Sequence, residues 1–313
     1  MMEHKSVLLH ETVDALKVRP DGIYVDATLG RAGHAKLLLS RLSSGHLYAF
    51  DKDEQALEES KEVLKDSLDK VTMIHADYRS LKTSLERYGI TRIDGIMMDL
   101  GVSSPQFDDS SRGFSYRYDG VLDMRMDQSQ TKTAYQIVNA YSEEEIGRIL
   151  RDYGEERYWK PIARAIVRRR SEAPIATTFE LVDVIKSVLP PKELSKKGHP
   201  AKQTFQALRI EVNDELVSLS AGLSDACAML KVGGRCAVIS FQSLEDRIVK
   251  ETFKSISSAP FVEPKIPIKA SQMEQASFSI VTKKPIEAGD EELSENHRSH
   301  SAKLRVIERI KED

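Results

Sequence analysis

Between Tyr24 and Asp51 the chain spells a strand, a glycine turn, a helix and a second strand that ends in a carboxylate. Residues 23–28 read as the first strand and run into Leu-Gly-Arg-Ala-Gly-His. Gly30 and Gly33 let the backbone turn sharply and approach a ligand with no Cβ in the way. Residues 35–42 read as a helix and 47–50 as a strand closed by Asp51, 21 positions beyond Gly30. An acid there can take two hydrogen bonds from a ribose diol. The unit is a Rossmann-type βαβ, and it commits the chain to a parallel sheet covered by helices.

The turn lacks the first tight pair of the dinucleotide fingerprint Gly-x-Gly-x-x-Gly, which disfavours a nicotinamide-dependent oxidoreductase. A pyrophosphate wants clustered backbone N–H groups, whereas this strand ends in Asp26. An acid suits a ligand carrying positive charge, such as S-adenosylmethionine with its ammonium and sulfonium. Residues 71–75 and 94–98 read as two further strands, followed by Asp77-Tyr78 and Asp99. Asp51, Asp77 and Asp99 therefore stand at the carboxyl ends of three successive strands, the edge at which open α/β sheets bind ligands. The alternative is that they cap the helices that follow.

After Asp99 the alternation breaks. Residues 100–127 are rich in Gly, Ser, Asp and Pro and read as a long loop, a length that is usually functional. From Thr133 to about Leu189 the apolar spacing is helical throughout. A long helix is expected from Phe205 to Leu230, a strand at 235–241, a helix at 244–256, irregular chain at 257–276, and closing strands at 278–283 and 303–310. A helical insertion thus interrupts an α/β domain. The expected division is 1–107 with 205–313 for the sheet domain, and 108–204 for the insertion.

The net charge of −3 conceals an imbalance: residues 157–209 hold twelve Lys or Arg against four Asp or Glu. Six basic residues and no acid fall between Arg157 and Arg170. A solvated helix face normally mixes signs. With Tyr153, Tyr158 and Trp159 nearby, Lys160, Arg164, Arg168 and Arg169 are candidates for phosphate contact beside stacking aromatics. A substrate clamped between this surface and the sheet would be a nucleic acid. No apolar run reaches the length of a membrane span, and the first ten residues lack a signal-peptide core, so a cytoplasmic protein is expected. Cys227 and Cys236 are the only cysteines and read as buried, reduced thiols. No metal site is read, and the oligomeric state is left open.

Several stretches carry a resemblance to a known family: His-Lys-Ser-Val-Leu-Leu-His-Glu-Thr at 4–12, Asp-Leu-Gly-Val-Ser-Ser-Pro-Gln at 99–106, Arg-Gly-Phe-Ser-Tyr at 112–116 and Leu-Asp-Met-Arg-Met-Asp at 122–127. Tyr-Gly-Glu-Glu-Arg at 153–157, the run Phe-Gln-Ala-Leu-Arg-Ile-Glu-Val-Asn-Asp-Glu-Leu at 205–216 and Ser-Leu-Glu-Asp-Arg at 243–247 agree with it. Along nearly its whole length the chain resembles the bacterial MraW/RsmH-like methyltransferases, which methylate cytosine N4 in small-subunit (16S) ribosomal RNA. The resemblance implies a class I, Rossmann-like sheet with an all-helical domain inserted between its fourth and fifth strands. It implies S-adenosylmethionine contacts at Ala32, Gly33, His34, Asp51, Tyr78, Asp99 and Gln106, and a target cytidine in the decoding centre of the small ribosomal subunit. The chain departs from the family at Gln242, where His is usual, and at Gln203, where a basic residue is common.

Cytosine N4 is a poor nucleophile, because its lone pair is delocalised into the ring. Many amino-methyltransferases place an acidic or polar residue, Pro-Pro and an aromatic after the fourth strand; residues 99–106 do not follow that pattern. Ser104 and Pro105, with their neighbours, are the catalytic candidates, offering a carbonyl and a hydroxyl as acceptors. The plain alternative is that Pro105 sets a turn and Ser104 satisfies its own backbone. His34 reads as an orienting hydrogen-bond donor rather than a base, and Tyr78 as an adenine-stacking ring or a core tyrosine. Two other classes stay open: a methyltransferase acting on another nucleic acid or on protein, and a non-catalytic RNA-binding scaffold on the same fold.

Overall fold

In the amino-terminal hundred residues helices alternate with strands, and three of the four strands end in an aspartate. The computed structural model describes residues 6–258 and 276–312. In chain order these are α1 (Leu9–Ala15), β1 (Ile23–Asp26), α2 (Gly33–Leu39), β2 (His46–Asp51), α3 (Glu54–Val63), β3 (Val71–His75), α4 (Leu81–Glu86) and β4 (Ile93–Asp99). The helices α5 (Ser104–Asp108), α6 (Ala134–Ala140), α7 (Glu143–Asp152), α8 (Trp159–Glu172), α9 (Thr178–Val188), α10 (Pro191–Leu194) and α11 (Lys202–Asn213) follow. The chain then continues through α12 (Glu215–Ala228), β5 (Leu230–Ser240), α13 (Ser243–Ile256), β6 (Phe278–Ile280), α14 (Asp290–Glu295) and β7 (Lys303–Arg309).

The seven-stranded sheet has the order β3-β2-β1-β4-β5-β7-β6. Strands β1 to β5 are parallel, and β7 inserts antiparallel between β5 and β6. The near-continuous burial of β2, β4 and β5 fits a sheet covered on both faces. One face packs Leu16, Leu38 and Leu39 of α1, α2 and their flanks; the other packs Leu81, Leu85, Leu219, Leu223, Val249 and Phe253 of α4, α12 and α13. The strand order reverses between β1 and β4, which opens a crevice at their carboxyl ends. The amino-terminal segment is tied to a distant part of the same unit, because Leu8 N–H donates to Glu292 Oε1 of α14 at 2.9 Å.

The chain divides into two compact units, Met1–Gly101 with Leu216–Asp313, and Val102–Glu215. The divisions thus fall at 101/102 and 215/216, not at 107/108 and 204/205. The cause is α11, whose Phe205, Ala207, Leu208 and Val212 are buried in the core of the helical unit with Ile146, Ile149, Ile162 and Ile166. The single helix expected from Phe205 to Leu230 is broken at Asp214, which takes a left-handed conformation with φ 50°. Asn213 explains the break: its side-chain amide accepts from Met126 N–H (2.8 Å) and donates to the Met124 carbonyl (2.8 Å). Strand β5 begins five residues earlier than expected, so Cys236 lies within it. The expectation of irregular chain at 257–276 falls almost wholly outside the described residues.

In the helical unit, α6, α7 and α9 each open on a capping box, at Thr133/Gln136, Ser142/Glu145 and Thr177/Glu180. Such reciprocal bonds satisfy N–H groups that a helix start otherwise leaves unpaired.

Candidate active site

The glycine turn after β1 is held from three sides. Leu29 N–H donates to the Phe50 carbonyl (2.8 Å), Gly30 N–H to Asp51 Oδ2 (2.8 Å), and Ser60 Oγ to the Gly30 carbonyl (2.9 Å). Gly30 has φ 51° and Ala32, which precedes α2, has φ 59°. Gly33 is needed for a different reason from the one expected: a Cβ there would stand 2.0 Å from Ser6 Oγ. The space beside Gly33 is filled by the amino-terminal segment, and that accounts for its lack of a side chain.

Asp51 closes β2 and does not cap a helix. Its Oδ1 accepts from Asp53 N–H at 2.9 Å, while Asp53 itself caps α3 by accepting from Gln55 N–H. Burial raises the Asp51 carboxyl above its ordinary range against the pull of these backbone N–H groups. Asp77 is in part a cap: it accepts from Arg79 N–H at 2.9 Å, and from Ser218 Oγ at 3.1 Å. Burial pushes its carboxyl up, but Lys52 and Arg79 outweigh that and hold it low. Tyr78 lies over α12, where a Cβ on Gly222 would meet its ring at 2.6 Å.

Asp99 closes β4 at the reversal. Its backbone N–H donates to Thr28 Oγ1 at 2.6 Å. The side chain keeps 31% exposure, yet Oδ1 is sealed from solvent and has no hydrogen-bond partner. Burial, with Asp26 and Glu245 adding like charge, raises its carboxyl to about 8. Asp26 is 2% exposed. Burial raises it to about 7, with the Thr28 N–H bond opposing and Asp51 adding like charge. His34 is buried, with Nε2 3.0 Å from the Val7 carbonyl and Nδ1 3.8 Å from Asp99 Oδ2. A carbonyl only accepts, so Nε2 carries a proton, and that bond holds the ring with Nδ1 turned toward Asp99.

The structure therefore brings Ala32, Gly33, His34, Asp51, Tyr78 and Asp99 to the carboxyl edge of one sheet. Ser104, Pro105 and Gln106 belong to α5 in the other unit. Gln106 is buried and its Oε1 accepts from Ser103 N–H at 3.1 Å; the side chains of Ser104 and Pro105 lie outside what the structure describes. Asp26 and Glu245 complete the acidic cluster. Asp26 was legible as a strand-end acid, but Glu245 gave no signal, being one acid among several in α13.

On α8, Lys160, Arg164 and Arg168 recur every four residues, which places them on one face, and all three are exposed. Arg169 stands off that face and donates to the Ala173 carbonyl at 2.8 Å. Lys160 and Arg151 both lie over the Trp159 ring, 5.1 and 5.4 Å from its centroid. Cys227 and Cys236 are buried together in the core on one face of the sheet, and the contact with Cys227, with burial adding to it, pushes the Cys236 thiol well up. Among the described residues no group of three or more His, Cys, Asp or Glu is placed to hold a metal ion, and no helix is long and apolar enough to cross a membrane.

An open sheet in this order, reversing at β1 and β4 and closed by one antiparallel strand, with acids at the reversal, is the architecture of the class I methyltransferases. These enzymes take their methyl group from S-adenosylmethionine. The chain belongs to the MraW methylase family, which it matches over residues 1–310. It is 52% identical over 310 residues to the ribosomal RNA small subunit methyltransferase H of Limosilactobacillus fermentum, with 98% of each chain covered. Among solved structures, a Streptococcus mutans protein described as a methyltransferase and crystallised with SAH is 14% identical, with a TM-score of 0.44 and coverage of 98% and 99%. An rRNA methylase from Streptococcus thermophilus is 15% identical, with a TM-score of 0.40 and 99% of each chain covered.

The residues present suit that methyl donor. The carboxylate at the end of β2 faces the glycine turn, and the unpartnered Asp99 Oδ1 lacks a donor that an ammonium would supply.

Proposed function

We propose that the protein methylates N4 of a cytidine in the decoding centre of small-subunit (16S) ribosomal RNA. The observation that carries the RNA reading is the 52% identity, over nearly the whole chain, to a ribosomal RNA small subunit methyltransferase. The exposed stripe of Lys160, Arg164 and Arg168 on α8, with Arg151 and Lys160 over the Trp159 ring, supports it. The N4 reading draws support from the thiols. Carbon-5 methylation needs a thiolate to add to the ring first, and both cysteines are buried in the sheet's core.

In this reading Ala32, Gly33, His34, Asp51, Tyr78, Asp99 and Gln106 hold the cofactor. Asp51 takes the ribose hydroxyls and Asp99 the methionine ammonium. S-adenosylmethionine, bound there, supplies an electrophilic methyl group. The accepting N4 would give up one proton as it takes that methyl group. Ser104 and Pro105 in α5 are the proposed surroundings of that proton, through a hydroxyl and a carbonyl. Lys160, Arg164, Arg168 and Arg169 hold the RNA backbone.

Nucleoside mass spectrometry of small-subunit RNA tests the reading. RNA from cells lacking the protein should lose an N4-methylated cytidine, and purified protein with S-adenosylmethionine should restore it on subunits from those cells. An unchanged modification profile, or 5-methylcytidine as the product, would overturn it. Sequencing of the RNase fragments by the same method locates the target.

A further inference from the structure

Two segments singled out in the sequence meet within the helical unit: Arg-Gly-Phe-Ser-Tyr at 112–116 and the basic stretch before α11. The rings of Tyr116 and His199 stack, their centroids 4.3 Å apart and their planes 10° from parallel. Tyr116 also meets the buried Phe205 of α11 edge-on, with 5.7 Å between centroids. An aromatic pair of this kind holds its geometry, so the core fixes Tyr116 and Tyr116 fixes the half-buried His199. The chain just before it is uncovered: Gly198, with φ 107°, has nothing within 4 Å of where a Cβ would stand.

His199 Nδ1 accepts from Ala201 N–H at 3.3 Å. The neutral ring therefore carries its proton on Nε2, which is left as a donor. Two exposed cations act on this ring, Lys186 in the last turn of α9 and Arg117 next to Tyr116. Burial, then Lys186 and Arg117, hold the His199 pKa below the ordinary histidine value, and no acid offsets them. Neither cation is ion-paired among the described residues. Glu193, the acid closest to His199 in that stretch, is already taken by Lys196 at 2.7 Å. A neutral ring N–H, an ammonium and a guanidinium are thus gathered from three separate segments. All three donate and none accepts. Positive charges collected without an acid repel one another, and an anion with several acceptor oxygens relieves that repulsion while using every donor. A phosphate has that chemistry.

We propose that His199, Lys186 and Arg117 form a phosphate-binding point for the RNA substrate, additional to the stripe on α8. The inference rests on the RNA reading above. Lys186 and Arg117 supply the charge, and the stacked ring of His199 supplies a directed neutral hydrogen bond.

The test measures binding of protein-free small-subunit RNA across a salt series at pH 8, where the His199 ring is neutral. Lys186→Met with Arg117→Met should flatten the slope of log affinity against log salt by roughly 1.4–1.8, at 0.7–0.9 per contact. His199→Phe keeps an aromatic ring for the stack and loses the donor. It should bind roughly twofold to tenfold more weakly with an unchanged slope. S-adenosylmethionine affinity should stay at the wild-type value in every variant. Lys61→Met with Lys65→Met on α3 makes the same charge change and should leave the slope alone. Cations kept for structure, such as Lys186 at the end of α9, would move the melting temperature and not the slope. A double variant with the wild-type slope, an α3 control that flattens it equally, or wild-type affinity in His199→Phe would each overturn the assignment. So would a loss seen with intact small subunits but not with protein-free RNA, which would make the partner a ribosomal protein. Wild-type protein that binds the RNA with no salt dependence would instead sink the underlying reading, and the wild-type series reports this separately.

Discussion

If Asp99 receives the cofactor's ammonium, binding must drive a proton off it. Burial and the neighbouring Asp26 and Glu245 place the Asp99 carboxyl at about 8 in the free protein. At pH 7 such a group is about nine-tenths protonated. An ammonium at hydrogen-bond distance favours the ionised form, so the bound state carries one proton fewer. The sign follows from linkage: affinity rises with pH wherever the free protein holds the extra proton. Below the pKa the rise approaches tenfold per unit. Between pH 6 and 7, where the ligand's own amino group stays mostly protonated, S-adenosylmethionine should bind roughly eightfold more tightly. Calorimetry at pH 7 in two buffers of different ionisation enthalpy should show a net release of about 0.8 proton per ligand, the ligand's own amino group taking up the difference. Asp99→Asn should remove most of both the slope and the release, and its affinity should fall further behind the wild type as pH rises. The apoprotein should lose stability across the same range. A carboxyl raised by folding costs nothing below the unfolded value of about 3.9, and its penalty grows until pH passes the folded value. A wild-type affinity flat from pH 6 to 7, with no buffer-dependent heat, would refute the assignment of Asp99 to the ammonium.

Asp51→Ala should weaken S-adenosylmethionine binding on the order of tenfold to a hundredfold, since charge-assisted hydrogen bonds contribute about 1.5–3 kcal/mol each; unchanged affinity by titration calorimetry would remove Asp51 from the site. It should also lower the melting temperature, because Gly30 and Asp53 N–H both lose their acceptor. Neutralising Lys160, Arg164 and Arg168 together should flatten the salt dependence of RNA binding by roughly 0.7–0.9 per phosphate contact. Arg169→Ala alone should alter the slope least, and a triple variant that folds and keeps the wild-type slope would reduce the stripe to a solvated helix face. The double variant Cys227→Ala, Cys236→Ala should keep most of its activity, and RNA carrying 5-fluorocytidine at the target should be released. A stable covalent adduct on a denaturing gel would contradict N4 transfer.

The amino-terminal half of the sheet was legible because its strands are apolar runs closed by acids. Val71–His75 falls at its expected bounds, and Asp51 and Asp99 close β2 and β4. Two helices were read as one at Asp214 because the apolar spacing continues across it; the break is imposed by Asn213 reaching back to residues 124 and 126. Contacts so far apart in sequence leave no periodic trace. Gly33 shows the same limit. A glycine announces that something comes close, but only the fold shows that the neighbour is Ser6. Glu245 was equally silent, because its place beside Asp99 depends on which strand end lies next to β5.

The order of the strands also fixes an interval during synthesis. Strand β4 is complete at Asp99, but its partner β5 does not begin until Leu230, beyond the whole of Val102–Glu215. At ribosomal speeds of about 5–20 residues per second, an insertion of this length delays β5 by roughly 6–25 seconds. Throughout that time an apolar edge strand is without its neighbour, the condition under which sheets pair wrongly with other chains. The brace from Leu8 to Glu292 comes later still. The segments that carry the cofactor fingerprint are thus made first and finished last, and a chain released early would expose them without the means to close.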